Sequence, residues 1–150
     1  MPNTEQNQVI AERASKLLAD SYTVYLKTHN FHWNVTGPMF STLHLLFETQ
    51  YTELALAVDE IAERIRSVGH PAPATYRQFQ QLTTIQEPDG VPKATAMISE
   101  LVADQRALAE TARELIGVAE EAGDQATADL ATRRVDVHEK NAWMLQSHLE

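Results

Sequence analysis

Five side chains of metal-binding type are spaced through the first half of the chain: His32, His44, Glu48, Asp59 and Glu63. Imidazoles and carboxylates supplied by neighbouring helices can hold a transition metal. The two histidines lie in a stretch without charged residues, Thr28 to Phe47, which holds three of the six histidines of the chain. The segment DEIAER follows, with Asp59 and Glu63 at a spacing that stacks them on one side of a helix. Trp33 adjoins His32 and supplies an oxidisable indole next to a candidate ligand.

Periodicity assigns these residues to helices. Ile10, Ala14, Leu17, Leu18, Val24 and Tyr25 recur at three and four, predicting a first helix from Thr4 to Val35 that Gly37-Pro38 ends. Leu43, Phe47, Leu54, Val58, Ile61 and Ile65 predict a second helix from Met39 to Val68, stopped by Gly69 with Pro71 and Pro73 behind it. A long connection, His70 to Pro92, contains a short helical segment from Thr75 to Leu82. Such a link lets two long helices run in the same direction. Pro92 fits the first turn of a third helix with the stripe Ile98, Leu101, Val102, Leu108, Ala112, Leu115 and Ile116. Gly123 caps its end and Asp124 the start of a fourth helix, Gln125 to Leu149, with Leu130, Val137 and Met144 at heptad spacing. The expectation is an all-α, ferritin-like four-helix bundle with a short helix in the connection between the second and third helices, one domain spanning 1–150.

On the second helix, taking His44 as zero, Glu48 falls near ~40°, Asp59 near ~60°, Glu63 near ~100° and the apolar stripe near ~290°. The polar set shares one sector, and that sector faces away from the bundle core. His44 and Asp59 are separated by about 22 Å along a straight helix, so they cannot hold one ion from the same chain. His32, beside the turn, is close to His44. Two half-sites result, an imidazole half (His32, His44, with Glu48 nearby) and a carboxylate half (Asp59, Glu63). A twofold axis relating two copies of this face would join one half to the other and make two equivalent sites per dimer. Each residue also has a plainer reading: the histidines as hydrogen-bonded interface groups, Asp59 and Glu63 as a solvated face paired with Arg64 or Arg66, Trp33 as packing and Asp124 as a helix cap. His29 and His70 are expected to be structural and solvated respectively, and His138 and His148 show no ligand pattern.

The bulk composition narrows the classes. There is no cysteine, which excludes disulfides, zinc-thiolate sites and iron–sulfur clusters. Formal net charge is −9, so the surface attracts cations and repels nucleic acid on average. The first dozen residues contain no Lys or Arg and no apolar run, no secretory signal is seen, and no stretch is apolar enough to span a membrane. A cytoplasmic location is expected. The five glycines are isolated, with no nucleotide-binding pattern. No Glu-x-x-His or Asp-x-x-His occurs, which argues against an in-subunit di-iron site.

The run KTHNFHWNVTGPMFSTLHLLFETQYTELALAVDEIAERI closely resembles the Dps family, the mini-ferritins of starved bacteria, and DQATADLATRRVDVHEKNAWMLQSHL resembles the last helix of that family. The resemblance implies a dodecameric hollow shell with ferroxidase sites at twofold interfaces: His32 and His44 from one subunit, Asp59 and Glu63 from its partner, and Glu48 as a further ligand or a supporting group. It implies iron as the metal, oxidised preferably by hydrogen peroxide and stored as ferric mineral, with protection from oxidative damage. Trp33 becomes a candidate electron donor, and Asp124 and Asp129 match acidic entry pores. Zinc is expected as a substitute ion in the same donor set. Some family members bind DNA through basic tails. Here the N-terminal residues are neutral to acidic and the sequence reaches Glu150 directly after the last helix, so DNA binding is expected to be weak or absent, and a nucleoid association to follow only if DNA is bound.

Overall fold

The computed structural model describes residues 3–150, all helix and connections among the described residues. Helix α1 (Thr4–Asn34) begins in a reciprocal cap: the Asn3 side chain accepts from the Gln6 backbone N–H at 2.9 Å, and the Gln6 side chain accepts from the Asn3 N–H at 3.1 Å. These bonds satisfy two of the amide donors that a helix start leaves open. Val35 turns extended, and Gly37 at φ +102° makes the reversal that only glycine adopts without strain. Helix α2 (Phe40–Ser67) then folds back along α1.

Helix α3 (Tyr76–Leu82) occupies the long connection and packs on α1, with Thr75 capping its start. Helix α4 (Ala94–Glu121) starts two residues after Pro92 rather than on it. Lys93 is still extended and its carbonyl accepts the first helical bond, from Met97 N at 2.9 Å. At the far end of α4, Asp124 N bonds the Ala119 carbonyl at 2.8 Å and Gly123 takes φ +73°, the glycine-terminated turn that closes a helix. Helix α5 (Gln125–Gln146) follows, and its last predicted turn tightens to a 3₁₀ turn, Ser147–Leu149.

Apolar side chains gather in two clusters. One surrounds Leu17, Leu54, Ile61, Leu108, Leu115 and Leu130. The other surrounds Phe31, Phe47, Leu43, Ile98, Leu101 and Leu145. Between them lies a polar belt. His138 is fully buried and its Nδ1 lies 2.7 Å from Gln105 Oε1, while the buried Arg134 guanidinium forms a two-pronged pair with Glu53 at 2.6 and 2.9 Å. The heptad reading of α5 put Val137 and Met144 in the core. The structure instead leaves both half-buried and turns Arg134, His138 and Asn141 inward. Burial, with Arg134 beside it, holds His138 well below the usual histidine range, so its ring is neutral at physiological pH. A fixed guanidinium in the middle of the bundle repels a metal ion, consistent with the absence of an Asp/Glu-x-x-His pattern.

A second buried polar point secures the crossover. Asp20 has no exposed surface and accepts four hydrogen bonds: from Thr83 Oγ1 (2.7 Å), Thr84 N (2.6 Å), Thr84 Oγ1 (2.9 Å) and Thr111 Oγ1 (2.8 Å). Close by, the buried Lys27 ammonium donates to the Gln86 carbonyl and pairs with Asp104, each at 2.9 Å. Together these contacts tie the segment after α3 to α1 and α4.

Candidate metal centre

The Gly37-Pro38 reversal lays the first turn of α2 against the last turn of α1, and this juxtaposition brings His32 to His44. Their rings stack with centroids 3.8 Å apart and planes 14° from parallel. Each ring also bonds the other residue's backbone: His32 Nδ1 lies 2.6 Å from the His44 carbonyl oxygen, and His44 Nδ1 lies 2.7 Å from the His32 carbonyl oxygen. A carbonyl only accepts, so both Nδ1 atoms carry hydrogen and donate. The nitrogen left to offer a lone pair to a metal is therefore Nε2 in each ring, the arrangement found where a histidine ligates metal through one nitrogen and is oriented by a backbone bond at the other. Glu48 Oε1 stands 3.8 Å from His32 Nε2, one helical turn beyond His44. His32 is buried, His44 half-buried and Glu48 exposed.

Further along α2, Asp59 and Glu63 are both exposed. Neither makes an ion pair among the described residues, and the arginines that could neutralise them are committed elsewhere. Arg64 donates to Thr127 Oγ1 at 2.9 Å and pairs with Asp124 at 3.3 Å, and Arg66 donates to the His70 carbonyl at 3.2 Å. Two like charges one turn apart without a counter-ion are unfavourable for a helix by about 0.2–0.5 kcal/mol. Among the described residues of one chain, no three His, Asp or Glu side chains gather closely enough to hold a metal ion. The donors thus stand as two halves on one face. That face also exposes apolar surface: Leu45 (61% exposed) and Leu56 (72%) lie near ~100° and ~120° on the wheel that places Asp59 and Glu63. Two exposed leucines thus share this face with the two carboxylates.

Of the other histidines, His29, His138 and His148 make packing or hydrogen-bond contacts within the chain. His29 is sandwiched between Trp33 (centroids 3.9 Å) and Tyr51 (4.2 Å), and burial, then His32, lowers its pKa. The His148 Nδ1 lies 2.9 Å from the Met144 carbonyl oxygen. Trp33 is 61% exposed beside the histidine pair.

Asp124 serves as the N-cap of α5. It is buried, its carboxylate accepts from the Thr127 backbone N–H at 3.1 Å and from the Thr127 hydroxyl, and Arg64 closes over it. Burial alone would raise its pKa, but the Thr127 bonds and Arg64 outweigh that and lower it. A carboxyl held below its unfolded value stabilises the fold above the ordinary aspartate range and loses that contribution as pH falls through the folded pKa. Asp124→Ala is expected to cost about 2 kcal/mol at neutral pH, from a lost cap and an unpaired Arg64, and less in acid. Thermal unfolding of both forms across pH checks this. Asp129 is exposed, on the same surface as Glu120, and pairs with Arg133 at 3.2 Å.

The buried polar belt of Gln50, Gln105, Arg134, His138 and Asn141, with the half-buried Glu53 at its edge, is not among the residues the sequence reading singles out. Its signal was present: Leu130, Arg134, His138, Asn141 and Leu145 recur at helical spacing, with polar types on the core face.

A sequence profile of the ferritin-like domain family matches residues 12–150. The chain is 39% identical over 147 residues to a DNA protection during starvation protein of Brevibacillus brevis, covering 98% of this chain and 99% of that one. It superimposes on the crystal structure of a Dps protein from Bacillus brevis with a TM-score of 0.95 at 38% identity, covering 99% of each chain. The Dps protein of Vibrio cholerae O1, described as a member of the ferritin-like diiron-carboxylate superfamily, superimposes with a TM-score of 0.95 at 31% identity, covering 99% of this chain and 94% of that one. The fold, the paired histidines and these relationships agree: the chain belongs to the ferritin-like domain family and, within it, to the Dps proteins.

Proposed function

We propose that this protein is a ferroxidase and iron-storage shell whose oxidation sites form between two subunits. His32 and His44 of one subunit supply nitrogen through Nε2, and Asp59 and Glu63 of the twofold mate supply oxygen, with Glu48 as a further ligand or a supporting carboxylate beside the site. The observation that carries this reading is the reciprocal His32–His44 bonding, which commits both Nδ1 atoms and leaves both Nε2 lone pairs available. The unpaired Asp59 and Glu63 on the same helix face support it.

Fe(II) is the substrate. Two ferrous ions giving one electron each to one hydrogen peroxide, with two protons, yield two ferric ions and two waters and release no hydroxyl radical. Asp59 and Glu63 favour the ferric product by charge, and the few protein ligands leave room for oxidant and water. Twelve copies closing into a shell would give the product a cavity, and of Asp124 and Asp129 the exposed Asp129 is the better acidic candidate for an entry pore. Zinc suits the same donors and would compete with Fe(II). The test is stopped-flow oxidation of Fe(II) bound anaerobically, started with peroxide or with dioxygen. Fast peroxide-driven oxidation at a fixed ratio of iron to subunit is expected. Binding without oxidation by either oxidant would reduce the protein to a metal store.

The relatives named for DNA protection leave open how protection is achieved. With a net charge of −9, protection through removal of Fe(II) and peroxide is the better-supported route. No retardation of duplex DNA is expected in a gel shift at ~0.15 M salt, because too few phosphate-neutralising cations are available to release counter-ions. A retained complex at that salt would assign a direct DNA-binding role.

A further inference from the structure

Three of the four tyrosines stand in one line of rings along α1 that starts at the histidine pair. The Tyr51 ring lies 5.2 Å from that of His32, Tyr25 lies 6.0 Å from Tyr51, and Tyr22 lies 5.7 Å from Tyr25. Trp33 joins the line through His29, which stacks on the indole at 3.9 Å and on Tyr51 at 4.2 Å. Beyond Tyr22 the next ring is Phe79, stacked at 4.9 Å, and it cannot be oxidised under the same conditions. Contacts at these distances are ordinary for aromatic packing. Packing alone, however, does not call for phenols. The two rings that anchor the neighbouring core cluster, Phe31 and Phe47, are phenylalanines, whereas every oxidisable ring along this line is Tyr or Trp. None of the three phenols makes a hydrogen bond to protein among the described residues. All three are half-buried, so each hydroxyl can pass its proton to water. Tyr22 lines both clefts that flank α3.

We propose that Tyr51, Tyr25 and Tyr22 form a hole relay that carries a one-electron oxidising equivalent from Trp33 or from the surroundings of His32 to Tyr22. Each hop is a hydrogen-atom equivalent. A tryptophanyl radical takes an electron and a proton and becomes indole, while a phenol gives up an electron and a proton and becomes a phenoxyl radical. The next phenol then reduces that radical in the same way. In the iron reaction proposed above, on which only this natural trigger rests, the initiating oxidant is a hydroxyl radical formed when a single ferrous ion meets excess peroxide. It takes the electron and a proton and leaves as water. The effect is to move the hole away from the ligating imidazoles.

The test needs no iron. The assembled Trp143→Phe protein, in which Trp33 is the only indole, is oxidised by azide radicals in pulse radiolysis. The tryptophanyl absorbance should decay as the phenoxyl absorbance grows, at a rate independent of protein concentration. Adding Tyr51→Phe and Tyr25→Phe together should suppress this growth by at least an order of magnitude. Tyr22→Phe should leave the first transfer in place and change the electron paramagnetic resonance spectrum of the trapped phenoxyl. Tyr76→Phe, which alters the exposed tyrosine outside the line, should change nothing. The relay is overturned if the double substitution leaves phenoxyl growth intact, if Tyr76→Phe removes it, or if transfer occurs only between molecules. Because iron is absent, none of these results depends on the ferroxidase reading, which peroxide-driven Fe(II) oxidation tests separately.

Discussion

Asp59→Ala is expected to lower peroxide-driven Fe(II) oxidation by roughly 100-fold or more, since loss even of groups that merely support ligands costs 10–100-fold. Its effect on folding should have the opposite sign or be absent. Asp59 is exposed and unpaired, so its removal breaks no contact of the isolated chain. It also relieves repulsion from Glu63 one turn away, worth about 0.2–0.5 kcal/mol, and introduces the best helix former. A residue kept at some cost to its own helix is kept for function. Chemical denaturation of the separated chain, beside stopped-flow oxidation by the assembled particle, measures both. A variant that loses stability and activity together would place Asp59 in the structure rather than at the metal.

Asp20→Ala should be the most damaging single change to the fold. It removes a carboxylate with no exposed surface that accepts from three hydroxyls and the Thr84 amide. The hydroxyls can rotate toward other partners, as Thr111 already does toward the Ala107 carbonyl at 3.1 Å, but the amide cannot. Hydrogen bonds to a charged group contribute about 1.5–3 kcal/mol each and some of the donors can turn to water, so a total near 3–5 kcal/mol is expected, with a fall in melting temperature of about 10 °C or more. Asp20→Asn, which keeps one accepting oxygen, should lie between. The damage should begin in the crossover: hydrogen exchange at residues 83–86 should accelerate before that of α4. Equal loosening of all helices would show that Asp20 does not act through the crossover.

The helices were legible because glycine, proline and capping residues punctuate strong apolar periodicity. Each predicted long helix ends within a few residues of its observed end. The error at Pro92 arose because proline suits either side of a helix start, and the extended Lys93 decides between them. The error on α5 has a different origin. Apolar periodicity identifies the core only where the core is apolar, and on α5 the inward face carries Arg134, paired with Glu53, and His138 and Asn141, which share Gln105, so a stripe of apolar residues alone misdirects. Asp124 shows the same limit at a helix end, where one aspartate serves equally as an exposed acid and as a buried cap. The histidine pair was placed correctly near the turn, yet nothing in the spacing could reveal the crossed Nδ1–carbonyl bonds. Those bonds require two helix ends at contact distance, a property of packing rather than of order along the chain.

The central claim is that nitrogen and oxygen donors meet from different subunits. Co-assembly of a chain carrying His32→Ala and His44→Ala with a chain carrying Asp59→Ala and Glu63→Ala tests it directly. Each parent shell should be inactive. In a random equal mixture half the twofold pairs are mixed, and each mixed pair regains one complete site of two, so about a quarter of wild-type peroxide-driven oxidation should return. A mixed shell of normal mass that stays as inactive as its parents would mean that all the donors must come from one chain.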